Sequence, residues 1–320
     1  MNEFELIDTI KQQTYRQTSL IKGVGDDAAV FRSDGYDVVT AVDTFVENVH
    51  FSKKTMDEVD TGYRVLAVNI SDIAAMGASP KFYLVSIVIP PQLSDKQVQD
   101  IFKGMKEIAS VYKMDLIGGD TVSGDSLMIS VTVIGYVHRD KVRYRHDAME
   151  NDLVFVTGTV GDASCGLHIL LNALDVDNSD YFIARHRRPR PRVAFANDLQ
   201  KISRLALNDI SDGLANELHE IAEASNVTIQ IDDNLIPISH AMHVFTKEEQ
   251  DNWKYFGGED FELLGTVSEQ NWAQVVDVAN KHGLQVTKIG SVQPKSIAPV
   301  LLQQNNKNIP LEKKGFIHKK

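Results

Sequence analysis

Apolar residues recur every three to four positions over Phe4–Tyr15, which predicts a first helix. Asp57–Met76 predicts a longer one, with Asp57 placed to cap its first turn and Gly77 to stop it, and Ser94 opens a third over Ser94–Tyr112. Helical spacing returns at Ala163–Leu174, Val193–Lys201, Gly213–Ser225 and Glu269–His282. Strand-like runs lie between them: Ala28–Phe31, Asp37–Val42, Phe82–Ile89, Asp115–Ile117, Leu127–Val137, Leu153–Val156, Leu205–Ile210, Val227–Ile231, Glu262–Val267 and Gln285–Ile289. Asp115–Ile117 and Leu127–Val137 flank a glycine-rich loop, and Phe82–Ile89 stops at Pro90-Pro91. No internal repeat or low-complexity tract is visible. The polar stretch His138–Asn151 is the best boundary, dividing the chain into residues 1–148 and 149–320. Strands and helices mix in both parts, so the expected class is α/β (α+β) in two domains; periodicity does not give strand order. Arg185–Arg192, basic and broken by prolines, reads as a solvated face between elements.

Composition narrows the function. The 320 residues carry 33 Lys+Arg against 44 Asp+Glu, a formal net charge of −11. That balance argues against a nucleic-acid binder, whose affinity rests on basic side chains at phosphates. One cysteine excludes an internal disulfide and a cysteine-based zinc cage, and Cys165 itself reads as a small buried side chain. No apolar run approaches the roughly 20 residues of a membrane span. Met1–Ile10 has neither a basic nor an apolar leader region, so a cytoplasmic protein is expected.

The chemistry gathers in Gly-Asp turns at predicted strand ends: Gly25-Asp26-Asp27, Val42-Asp43-Thr44, Ser71-Asp72, Gly118-Gly119-Asp120-Thr121, Gly161-Asp162, Asp209-Ile210-Ser211-Asp212-Gly213 and Gly257-Gly258-Glu259-Asp260. One such pair is an ordinary turn. Seven in one chain point to a shared site, because loops at strand ends are where α/β folds collect ligands. Converging aspartates repel one another and resist ionisation. Mg²⁺ relieves that, taking carboxylate oxygens and completing its shell with water and phosphates. The pattern therefore suggests several Mg²⁺ ions serving a polyphosphate. There is no G-x-x-x-x-G-K-[ST] loop, and Gly23–Ala28 fits a dinucleotide fingerprint only formally, since a strand follows it where a helix is needed. His219-Glu220 lacks a second histidine at zinc-protease spacing, and His138-Arg139-Asp140 lacks the companions of a protein-kinase loop. His240 and His243 read as a surface pair, and Leu66 and Met76 as core.

These turns, in this order, resemble the thiamine-monophosphate kinases, within the superfamily of aminoimidazole ribonucleotide synthetase and selenophosphate synthetase. The resemblance runs from Phe4 to Phe316 and includes Asn69–Ala78, Gly158–Ala163 and Gly257–Leu264. It implies ATP-dependent phosphorylation of thiamine monophosphate to thiamine diphosphate. It also implies a homodimer whose N-terminal sheets pair into a shared barrel, with ATP near that interface. By resemblance Asp27, Asp43, Asp72, Asp120, Asp209 and Asp212 would hold Mg²⁺, with Asp26 shaping the turn beside them. Gly119, Asp120, Arg145 and Ser211 would meet the nucleotide; His50, Glu259 and Phe316 would meet thiamine monophosphate. Phe102 stands where a nucleotide-contacting tyrosine is expected, and Ala41 and Val42 replace a hydroxyl-bearing pair before Asp43.

The implied chemistry needs no acid or base from the protein. A phosphate monoester has its second pKa near 6 and is mostly a dianion at pH 7. The obstacle is repulsion from the triphosphate, about 4 kcal/mol per unit-charge pair at 4 Å and an effective dielectric near 20. Metals bridging both anions would remove it and favour direct in-line transfer without a phosphoenzyme. Two alternatives stay open: a related ATP-dependent enzyme of the aminoimidazole ribonucleotide synthetase kind, and a non-catalytic metal- or nucleotide-binding protein. A selenophosphate synthetase would carry a cysteine in a glycine-rich N-terminal loop, and the hydrogenase-maturation relative a C-terminal cysteine; Cys165 fits neither.

Overall fold

The computed structural model describes residues 20–22, 26–32 and 35–315. The predicted helix Phe4–Tyr15, the Gly23-Val24-Gly25 turn and Phe316 lie outside them. Two sheets form the frame. The first contains β1 (Leu20–Lys22), β2 (Ala29–Arg32), β3 (Tyr36–Val46), β4 (Ser79–Ile89), β5 (Asp115–Ser123) and β6 (Met128–His138), in the order β1-β2-β3-β6-β4-β5. The second contains β7 (Leu153–Thr157), β8 (Ala206–Asp209), β9 (Thr228–Asp232), β10 (Leu263–Val267), β11 (Val286–Gln293), β12 (Val300–Gln304) and β13 (Lys307–Pro310), in the order β13-β12-β9-β11-β7-β10-β8. Among the described strands only β4–β5 and β9–β12 pair in parallel. This is a mixed α/β fold with two sheets, and among the described residues neither sheet closes on itself.

Helix α1 (Glu58–Ala75) starts where Asp57 accepts a hydrogen bond from the Asp60 amide at 2.7 Å. Helix α2 (Asp95–Tyr112) opens with a reciprocal Ser94–Gln97 capping box. The two helices touch backbone to backbone: a Cβ on Gly62 would lie 1.8 Å from the Ile101 carbonyl oxygen, and one on Gly104 1.8 Å from that of Val59. Close approach drives α1 deep into the molecule, where Leu66, Ile70, Ile73 and Met76 are fully buried. One continuous core joins the inner face of the first sheet (Val39, Val85, Val131) through α1 to Phe155, Phe195 and Leu263 of the second half.

The outer face of the first sheet has no cover among the described residues. Val42 on β3 is 60% exposed, and Val122 on β5 is also exposed. Here the structure corrects the expected loop. Gly118–Thr121 runs inside β5, because Gly119 lets the strand lie against β4, where a Cβ would stand 1.9 Å from the Val85 carbonyl oxygen.

Among the described residues periodicity missed five strands and helices, the short β1 being one. In helix α4 (Ser179–Arg187) only Phe182 and His186 are buried, too few to produce a stripe. Helix α7 (Lys247–Phe256) is mostly polar but carries a Thr246–Glu249 capping box. The β12–β13 hairpin turns at Asn305-Asn306, both at positive φ, a two-residue signal legible in principle. The remaining helices are α3 (Asp162–Asn172), α5 (Val193–Asp198), α6 (Leu214–Ser225) and α8 (Glu269–Lys281).

Candidate active site

Three of the predicted carboxylates meet. Asp27 sits at the turn before β2, Asp72 in the last turns of α1 and Asp209 at the end of β8; one oxygen of each lies within 4.8 Å of the other two. Burial pushes Asp72 well above the usual carboxylate range, and Asp43, Asp209 and Asp27 push it further. Asp209 is raised in the same way, by burial first and then by Asp27, although the Ser71 hydroxyl donates to it at 2.6 Å. Asp27 Oδ2 is buried without a hydrogen-bond partner among the described residues. Clustered, desolvated oxygens of this kind suit a hard divalent cation. Asp26 is outside the cluster: its Oδ1 accepts from the Asp27 amide at 3.2 Å, the turn-shaping role expected of it.

Arg145 leans on the cluster from the other side. Its Nη2 lies 2.6 Å from Asp27 and its Nε donates to Asn208 at 3.0 Å. Burial alone would lower this guanidinium; Asp27 and Glu217 outweigh it and hold the charge in place. Behind Asn208 stands Glu217, which sequence reasoning missed. It accepts from Asn208 at 2.6 Å, from Asn216 at 3.2 Å and from the Asp212 amide at 3.1 Å, so it shapes the Asp209–Gly213 turn. Burial raises its pKa to about 8. A glutamate in the first turn of α6 reads from sequence as a helix-end charge, so nothing marked it.

A cleft of about 760 Å³ opens beside this cluster. Asp43, Ser211 and Asp212 line it together with His50 and Glu259, so five predicted site residues share one space. The His50 ring stacks on Phe45 at 5.2 Å, and its Nδ1 accepts from the Val46 amide at 3.1 Å. Gly315, next to Phe316, also lines the cleft. Two predicted residues stand elsewhere. Phe102 packs half-buried from α2 against the core. Asp120 shares a row with Ser86, Ser130 and Thr44, whereas Asp43 belongs to the adjacent row with Val131, Val85 and Gly119. Successive rows face opposite sides, so within one chain Asp120 points away from the carboxylate cluster.

Comparison with known proteins places the chain in a family. The family profile of AIR synthase related protein matches in two parts, the N-terminal domain over residues 25–137 and the C-terminal domain over residues 150–300. Thiamine-monophosphate kinase of Bacillus subtilis (strain 168) is 46% identical over 327 residues, spanning 99% of each chain. The chain belongs to the thiamine-monophosphate kinase family. Solved kinases of the family share its fold. The structure of AaThiL complexed with AMPPCP and TMP aligns with a TM-score of 0.85 at 31% identity, over 99% of this chain and 97% of that one. Thiamine-monophosphate kinase from Stenotrophomonas maltophilia K279a aligns at 0.78 with 33% identity, over 93% and 96%.

In this member of the kinase family the Gly257–Leu264 segment is held by its own acids. Asp260 caps α3, accepting from the amides of Gly161 at 2.5 Å and Ala163 at 3.0 Å. Glu262 accepts from Arg185 at 2.8 Å, from the Thr157 hydroxyl at 2.6 Å and from Arg192 at 2.7 Å. Arg185 and Arg192 are thus structural clamps on a buried carboxylate, which corrects the expected solvated face. The turns at Asp162 and Asp260 anchor the loop and take no part in the cluster. Cys165 is buried, as expected.

His186 on α4 is buried beside Arg64, and burial, with help from Arg64 and Arg187, lowers its pKa to about 2. The folded state keeps it neutral while the unfolded chain gains a proton below about 6.5. Stability from this group is therefore complete above that pH and is lost below it. Between pH 7 and 5 the loss is about 2 kcal/mol. The stability of wild type relative to His186→Gln, measured by urea unfolding at both pH values, should fall by that amount; a constant difference would show that the buried ring is protonated.

Proposed function

We propose that the chain transfers the γ-phosphoryl group of ATP to thiamine monophosphate, giving ADP and thiamine diphosphate. The observation that carries this reading is the convergence of Asp27, Asp72 and Asp209, from three distant motifs, beside a cleft lined by Asp43, Asp212, His50 and Glu259. Asp27, Asp43, Asp72, Asp120, Asp209 and Asp212 would hold several Mg²⁺ ions, which fits the buried, partnerless oxygen of Asp27. Bound Mg²⁺ supplies charge neutralisation between the two phosphates. Gly119, Asp120, Ser211 and Arg145 take the nucleotide. His50, Glu259 and Phe316 take thiamine monophosphate. The chain's task is to bind and align; the acceptor dianion needs no base.

In this proposal residues 1–148 form the ATP/Mg²⁺ and dimerisation domain and residues 149–320 the C-terminal domain. Two copies pair the uncovered faces of their first sheets into a barrel, which places Asp120 on the side where the second copy arrives. The exposed Val42 and Val122 support that reading. Sedimentation should give a dimer for wild type, and Val122→Glu should shift it to monomer; an unshifted mass removes this face as the interface. No described helix is long and apolar enough to cross a membrane, and a cytoplasmic setting is proposed.

The deciding test is ADP release with thiamine monophosphate, thiamine and aminoimidazole precursors offered separately, with and without Mg²⁺. Turnover is expected only with thiamine monophosphate and Mg²⁺. Turnover with an aminoimidazole precursor instead moves the chain to the synthetase branch, and nucleotide binding without turnover makes it a binding protein.

A further inference from the structure

Glu259 is held unlike the other acids of its loop. Its backbone is in the left-handed region at φ 71°, a strained state for glutamate, and its amide donates to the Ser211 carbonyl at 2.6 Å. The side chain faces the cleft and is one-third exposed, yet Oε1 lies 2.6 Å from Nη2 of Arg64, which is wholly buried. Arg64 comes from the other half of the molecule, in α1. Its guanidinium lies 5.9 Å from the Phe261 ring and 3.4 Å from Nδ1 of His186. Neutral His186 stands 3.8 Å from the other Glu259 oxygen and adds no charge there. Arg64 thus meets the carboxylate through one close ion-pair contact, while neither its Nε nor its Nη2 makes a hydrogen bond among the described residues. The same helix carries Asp72 eight residues on, about 12 Å along its axis.

We infer that Arg64 is a positioning residue for the acceptor: by fixing the Glu259 carboxylate on the cleft wall, it sets affinity for the cationic, aromatic part of the substrate. The inference rests on the reading above that Glu259 meets thiamine monophosphate. A buried arginine is costly unless paired, and the one strong pair it makes is with a carboxylate presented to a ligand cleft. A guanidinium places its charge at the end of a planar group, whereas an ammonium is a compact charge on a flexible stem. Arg64→Lys keeps the charge but moves it away from this contact; Arg64→Met removes it.

Wild-type turnover is measured first, so that failure of the substrate reading is seen separately. Arg64→Lys, Arg64→Met, Glu259→Gln and the Met/Gln double variant are then compared for KM of each substrate and for kcat, with folding checked by circular dichroism. The expected result is a rise in KM for thiamine monophosphate, up to roughly 100-fold for Arg64→Met and smaller for Arg64→Lys. KM for ATP should stay within about twofold, and the double variant should be no worse than Glu259→Gln alone, since both changes act through one carboxylate. Additive losses, or equal losses for both substrates, overturn the proposal and leave Arg64 a packing residue. If Arg64→Met does not fold, Arg64→Lys decides: an unchanged KM for thiamine monophosphate overturns the proposal equally.

Discussion

Asp72→Asn is expected to raise the melting temperature of the metal-free protein while lowering kcat roughly a thousandfold, the loss of about 4 kcal/mol of metal-assisted charge stabilisation. Both effects have one origin. Asp72 is buried against Asp43, Asp209 and Asp27, and its raised pKa means that the ionised form costs stability at neutral pH. An amide of the same shape removes one of the repelling charges, so the apo fold relaxes. It also removes an oxygen anion from the cluster, so the stabilisation that wild type gains on adding Mg²⁺ should shrink or vanish. Thermal unfolding with and without Mg²⁺ reads both signs in one experiment. A variant that loses apo stability, or keeps the full Mg²⁺ shift, would show that Asp72 does not hold the ion.

For Glu262→Gln the expected result is a loss of about 3–5 kcal/mol of stability, the range for breaking a buried ion pair from one side. Burial alone would raise the Glu262 pKa, but Arg192 and Arg185 outweigh it and hold the carboxyl below the usual range. Glutamine strands both guanidiniums in a poorly solvated place and weakens the bond from Thr157. The loop bearing Glu259 is tied down just beyond it by Asp260 and Glu262, so KM for thiamine monophosphate should also rise in whatever protein folds. Chemical denaturation at pH 7 checks the magnitude; a change below about 1 kcal/mol, the scale of exposed pairs, would mean that water reaches this cluster.

Much of this was legible in the residues. Asp57 and Ser94 cap the helices that their positions predict, because a capping side chain acts on amides two or three residues away. Asp27, Asp72 and Asp209 meet because each ends or borders an element whose apolar face is buried, which leaves the acid at its rim. Residues whose roles depend on a distant partner were hidden. Arg64 and Glu217 occupy ordinary helix positions, and neither Glu259 nor Asn208 is near Arg64 or Glu217 through any periodic rule. Arg185 and Arg192 look solvated until Glu262 arrives from some 70 residues downstream. Asp120 shows the converse: its motif was visible, but the β4–β5 register decides which face it takes.

The apolar interior passes unbroken from the first sheet through α1 into the second. Neither half therefore owns a complete set of packing partners. Cutting the chain at its polar midpoint would strip Phe155, Phe195 and Leu263 of their neighbours and leave two sticky fragments instead of two working modules. A hinge between the halves would have to break that shared core. Substrates meet the cleft at a rim that includes Gly315.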